Sequence, residues 1–251
     1  MKKTLFLISL FTVFVFADPK DPFHSLSFDY YVKKFLPDIE YVFDDNNVIV
    51  STPRFADNPA QVPIMVDARS IYRAKRMFFL ADLNPVAPIA DIQLDELRAF
   101  VSLNIKVEQG TPLRAFVQDE NNLWHIGSAI IKSFGGGCSA DTVGKDGTYK
   151  NEGEIGQSLA VIKPRLDAYR IKWTVKHPMD TGMFVGAQEY FIKEALITNG
   201  KQQIGSLKLF SSISQNPNFA LETAYKNNDF YHIKMTDSQA DIYFAKARAQ
   251  K

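Results

Sequence analysis

The sequence predicts an all-β protein, two β-sandwiches joined by a flexible Gly-rich linker. Three observations carry that expectation. Short runs rich in branched and aromatic residues recur along the chain, bounded by Pro, Gly, Asn and Asp. Where the runs are clearest, apolar and polar residues alternate with period two. Between residues 134 and 158 the texture changes to FGGGCSADTVGKDGTYKNEGEIGQS, which is glycine-rich and poor in large apolar side chains. Such a stretch cannot bury enough surface to fold alone, so it reads as a linker.

Residues 1–17 read as a secretory leader. Lys2 and Lys3 form a basic start, and Thr4 to Phe16 follow without a charge. Val15 and Ala17 occupy the small-residue positions of a cleavage site, which places the cut before Asp18. The run is shorter than the roughly 18 apolar residues a membrane span needs, so an exported, periplasmic chain is expected. Loss of Lys2 and Lys3 would take the net charge of +1 to about −1. That balance offers no electrostatic case for nucleic acid or an anionic membrane as partner.

Residues 18–133 form the first expected domain. Phe28, Tyr31 and Phe35 have the spacing of a short helix that docks on the strands after it. Strands are expected at Val48–Ser51, Val62–Val66, Met77–Ala81, Ile89–Leu94, Phe100–Val107, Leu113–Val117 and Leu123–Ile131. Residues 134–158 are the arm and linker, and residues 159–251 the second domain. There Tyr169, Ile171, Trp173 and Val175 share one face of a strand, with Arg170, Lys172, Thr174 and Lys176 on the other. Further strands are expected around Tyr190–Ile197, Ile204–Phe210, Tyr231–Thr236 and Asp241–Ala247. Strands at this spacing, with about a hundred residues per half, fit immunoglobulin-like sandwiches.

The chain has one cysteine, Cys138, in Phe134-Gly135-Gly136-Gly137-Cys138-Ser139-Ala140. The plain reading of a lone cysteine is a small buried hydrophobe. Here its neighbours are Gly135, Gly136 and Gly137 on one side and small residues on the other, so an exposed and mobile thiol is expected. Extended chain would carry the sulfur roughly 15 Å from the sandwich. With no base beside it, the thiol pKa should lie near about 8.5. A loose arm cannot hold a catalytic geometry, but it can present a covalently attached group to other proteins. No catalytic residue, metal site or cofactor is expected.

Several plainer readings stand beside this one. His177, Met179 and Met183 could be soft copper ligands, though spacing alone does not make them converge. His24, His125 and His232 read as surface or strand residues, and Trp124 and Trp173 as core or interface. Ser133, Ser139 and the aspartates form no nucleophile–base arrangement. Lys172 and Lys176 read as a solvated strand face. A thiol oxidoreductase would want a resolving cysteine, and a passive immunoglobulin-like binding module would leave the arm without a purpose.

The arm resembles the carrier tail of the bacterial Sox sulfur-oxidation system, in which the SoxY family ends in Gly-Gly-Cys-Gly-Gly after its last strand. Residues 80–94, LADLNPVAPIADIQL, and the stretch VEQGTPLRAFVQDENNLWHIGSAIIKSFGGGC resemble that family's strands. Downstream, Lys163-Pro164-Arg165 and the run from Ile171 through His177-Pro178-Met179-Asp180-Thr181-Gly182 are similar to the SoxZ family. The chain therefore looks like a fused SoxYZ. That resemblance implies a non-catalytic carrier whose Cys138 holds sulfur species such as thiosulfate. It implies a SoxXA-type cytochrome that loads the thiol oxidatively, a SoxB-type hydrolase that releases sulfate, and, where present, a SoxCD-type dehydrogenase. A carrier associated with a quinoprotein dehydrogenase is the alternative, and a disulfide-linked homodimer is open to a lone thiol. Two departures stand out. Cys138 is mid-chain, so a partner must accept a doubled-back loop, and Ser139 and Ala140 replace the trailing glycines.

Overall fold

The computed structural model describes residues 20–140, 142–144, 148–150, 152–200, 202–224 and 230–248. The expected leader and its cleavage point lie outside the described residues. The protein is nearly all β, as expected.

The first half opens with helix α1 (Phe28–Phe35) and continues through β1 (Tyr41–Phe43), β2 (Ile49–Ser51), β3 (Val62–Asp67) and β4 (Arg76–Ala81). It ends with β5 (Pro88–Gln93), β6 (Leu97–Ile105), β7 (Thr111–Gln118) and β8 (Trp124–Ile131). Strand β4 shows why the helix is there. Met77, Phe79 and Ala81 face the core between the sheets, while Phe78 and Leu80 join Phe28, Phe116 and Trp124 in a second cluster under α1. A strand buried on both faces needs a cover on each, and the helix supplies one of them. Beside it, Arg114 on β7 is fully buried and held by Asp82 at 2.9 Å and Asp21 at 2.8 Å. The rings of Phe23 and Phe28 lie 4.8 and 4.9 Å from its guanidinium, which clasps the N-terminal segment to the sheet.

The second half contributes β9 (Ser158–Pro164), β10 (Tyr169–Val175), the short pair β11 (Asp180–Thr181) and β12 (Glu189–Tyr190), and β13 (Ile192–Thr198). The last four are β14 (Gln203–Leu209), β15 (Asn218–Thr223), β16 (Phe230–Asp237) and β17 (Ile242–Arg248). Along β10, Ile171, Trp173 and Val175 are buried and Lys172 exposed, in keeping with its alternation.

The expectation of two sandwiches linked by a flexible segment needs one refinement. The halves share their sheets. One nine-stranded sheet runs β1-β8-β7-β4-β5-β14-β13-β16-β17, and a six-stranded sheet runs β2-β3-β6-β15-β10-β9. The seam is β5 antiparallel to β14, with Leu207 opposite Ile92, and β6 antiparallel to β15, with Leu221 opposite Val101. A single apolar core crosses it, bringing Ile92, Leu94 and Val101 together with Ile204, Leu207 and Leu221. Nor is the described part of the linker free of the body. Thr142 and Val143 are buried, and Val143 bridges Tyr149.

Candidate functional site

Cys138 lies at this seam. On the first half, β6 runs on into Lys106, Val107 and Glu108. The Lys106 N–H donates to Ser212 O at 2.7 Å, the Val107 N–H to Pro59 O at 2.8 Å and the Glu108 N–H to Asn84 Oδ1 at 3.0 Å. Asn84 Nδ2 returns a bond to Lys106 O at 2.7 Å. The extension is therefore fixed at every residue.

From β8 the chain leaves through Ser133, whose Oγ accepts the Gly135 N–H at 3.0 Å. Gly135 and Gly136 then take left-handed φ values of +98° and +88°, where a side chain would be strained. Open space surrounds Gly136, whereas a Cβ on Gly137 would strike the backbone of Pro59 and Val107. Two glycines let the chain turn, and the third lets it lie flat against the body.

The thiol is not where the sequence puts it. Instead of standing off in water, Cys138 is 3% exposed. Its N–H donates to Glu108 Oε2 at 2.8 Å. Ser139 donates to the same carboxylate through its N–H at 3.2 Å and through Oγ at 3.1 Å. From the second half, Thr181 Oγ1 donates to Cys138 O at 2.6 Å. Side-chain hydrogen bonds from both halves thus hold a segment that glycine alone would leave loose. Cys138 belongs to neither apolar cluster, and Lys132, Phe134 and Gly136 on its stem are exposed. The contacts that hold its backbone in place are polar.

The electrostatics follow from burial. Desolvation pushes the Cys138 thiol up to about 11, the Lys106 ammonium opposing and the Glu108 carboxylate adding to the rise. The expected value near about 8.5 is corrected accordingly, because the thiol is not in water. Lys106 is itself buried and pushed down to about 8, with Cys138 and Asp180 opposing that fall. Its Nζ donates to Met179 O and, at 3.0 Å, to Ser211 O. A charged ammonium therefore sits behind the seam at neutral pH. Asp180 accepts the Gly182 N–H at 2.7 Å and the Thr142 hydroxyl, which fixes the turn that presents Thr181.

The other candidates separate cleanly. His177 is buried, its Nδ1 accepting the Met179 N–H at 3.1 Å, so the proton of the neutral ring is on Nε2. Nε2 faces Asp237 Oδ2 at 3.6 Å, and Tyr243 donates to the same oxygen at 2.7 Å. Burial pushes the imidazole down to about 4 against the pull of Asp237. Met179 Sδ accepts the Ile192 N–H at 3.3 Å, while Met183 is 43% exposed, so the three do not form a ligand set. Among the described residues no three His, Cys, Asp or Glu side chains converge as a metal site would require. His24 and His232 are exposed, and His125 bonds Asp44 at 2.8 Å. Trp124 is core, and Trp173 stacks on Phe219 with centroids 4.7 Å apart. Lys176 lies 3.5 Å from Glu154 at the surface.

Sequence reasoning finds Cys138 and its glycines but misses Glu108, Lys106, Asp180 and Thr181. One signal was available. Lys106 interrupts an apolar run between Ile105 and Val107, a place where a charge needs partners.

Comparison with known proteins follows the same division of the chain. The family model described as "Sulfur oxidation protein SoxY" matches residues 32–138, ending at the cysteine, and that described as "Sulphur oxidation protein SoxZ" matches residues 163–248. Among solved structures, the sulfur carrier protein SoxY from Chlorobium limicola f thiosulfatophilum is similar at 19% identity with a TM-score of 0.39. That match covers 43% of this chain and 96% of that one. No curated protein matches the chain.

Proposed function

Since the chain belongs to the SoxY and SoxZ families, a SoxY domain followed by a SoxZ domain in one polypeptide, we propose that it carries sulfur-oxidation intermediates covalently on Cys138. The observation that carries the reading is the position of the only cysteine. It closes the SoxY-matched segment, on a glycine stem, at the seam with the SoxZ half. A carrier needs a thiol that can be covered and uncovered, and polar contacts that water can replace meet that need better than core packing would.

In this reading the thiol of Cys138 and thiosulfate join through a new S–S bond. One proton is released, and two electrons pass to a SoxXA-type cytochrome. Hydrolysis by a SoxB-type enzyme then breaks the bond between the outer sulfur and the sulfonate, releasing sulfate and leaving a sulfane on the cysteine. A SoxCD-type dehydrogenase is the class of partner that would oxidise that sulfane. The chain supplies attachment and presentation, and its partners supply the chemistry. A thiol pushed up to about 11 is almost wholly protonated at neutral pH while it is seated, which agrees with loading by partners rather than by the carrier's own nucleophilicity.

The leader-like residues 1–17 support a periplasmic location. Intact-mass spectrometry of the protein recovered from periplasm during growth on thiosulfate tests the whole reading. Adducts of sulfane or thiosulfonate type should be present, vanish on reduction and be absent from Cys138→Ser. An unmodified thiol under those conditions would overturn it.

A further inference from the structure

The seat of Cys138 has a feature that carriage alone does not require. One carboxylate collects the N–H of Cys138, the N–H of Ser139 and the Ser139 hydroxyl, at 2.8, 3.2 and 3.1 Å. Bonds to an ionised acceptor are the stronger kind, and three on one group form a directional hold. Glu108 is itself held, since its N–H is committed to Asn84. On the far side the Thr181 hydroxyl engages the Cys138 carbonyl. Gly137 fits only because it has no side chain, while Gly136, one residue earlier, has free space around it and a left-handed φ. A hinge beside a clamp is the arrangement of a closure.

We propose that Glu108 is a latch that keeps the unloaded cysteine shut against the seam, so that Cys138 meets a sulfur donor only after the carboxylate lets go. The inference rests on the carrier reading for its purpose but not for its geometry. It also gives Ser139 a role. A glycine there would offer its N–H to Glu108 but not the hydroxyl, so serine adds a bond to the latch. Closure slows every reaction of the thiol by the fraction of molecules that are open. A partner that binds the open segment, or takes the Glu108 carboxylate for itself, raises that fraction without touching the sulfur.

Alkylation of the full-length, reduced protein by iodoacetamide, followed across pH so that each variant's thiol pKa is separated from its accessibility, reads the open fraction. The wild type should react at least tenfold more slowly than the same chain unfolded in urea. Glu108→Gln keeps the side chain's shape and removes its charge, and should accelerate the reaction by roughly ten- to a hundredfold, the worth of hydrogen bonds to a charged group. Ser139→Ala should give a smaller gain, on the order of threefold. Equal rates for wild type and unfolded chain would overturn the latch, as would a folded Glu108→Gln protein that reacts no faster than wild type. Should Glu108→Gln fail to fold, Ser139→Ala decides, and an unchanged rate there overturns the proposal. The two readings fail separately. Faster alkylation without sulfur adducts in the mass spectrum removes the carrier reading and leaves the latch, and adducts with unchanged alkylation do the reverse.

Discussion

At the scale of single residues, burial decides how each titratable group behaves, and His177 gives the clearest test. At neutral pH its ring is uncharged in both folded and unfolded chains. As pH falls through 6.5 the unfolded imidazole takes up a proton that the folded one refuses until about 4. The unfolded state then binds more protons, so stability falls across that window by roughly 3 kcal/mol and is lost no further to this group below it. Urea melts at pH 7 and pH 5 should show about 2 kcal/mol of that loss in the wild type and little of it in His177→Asn, whose amide oxygen can still accept the Met179 N–H. A variant that lost stability with acid as steeply as the wild type would put the effect elsewhere. The same rule explains what the sequence hid at Cys138. Three glycines announce freedom, and freedom is real only where nothing nearby offers a bond. Glu108 and Thr181 offer several, from positions 30 and 43 residues away, and no local pattern reveals a partner at that distance.

At the scale of elements, most strands are legible because one face is dry and the other wet. Strand β10 and strand β16 carry the alternation openly, and helix α1 is visible in the spacing of its aromatics. Strand β15 is not, because it lies between β6 and β10 and is buried on both faces apart from its first residue. Its Glu222 is 0% exposed, and a carboxylate in that place argues against a core strand until its partners are seen. Those are Arg170 at 2.5 Å from the same half and Arg69 at 3.0 Å from the other. Glu222→Gln should therefore cost about 3 kcal/mol in denaturant melts, since it leaves a poorly hydrated Arg170 without its counter-charge. Glu154→Gln, which breaks only the surface pair with Lys176, should cost less than about 0.5 kcal/mol. Equal losses would mean that the buried tie contributes no more than a surface pair. Strand β1 escaped for a simpler reason, since three residues are too few to show a period.

At the scale of the whole molecule, the composition of residues 134–158 points to two bodies on a string, yet both sheets run through the seam. Pairing of β5 with β14 and of β6 with β15 joins segments more than a hundred residues apart, a register that period and composition do not encode. The halves should therefore behave as one cooperative unit. A protease site placed between Lys145 and Gly147 lets this be tested. After cleavage the two fragments should elute together in gel filtration and melt in a single transition. Two separate peaks in native buffer would show that the seam depends on the connection. The site is split in the same way, with Glu108 on one side, Thr181 on the other and Cys138 between them.

Shared sheets in a single chain also remove a mass-action problem. Two subunits that met at such a seam would part on dilution, and the fraction with a complete niche around the sulfur would follow their concentration. Here the stoichiometry is fixed at synthesis, and the effective concentration of one half near the other is set by the polypeptide. Every copy, however scarce, is born with both walls of the niche in place.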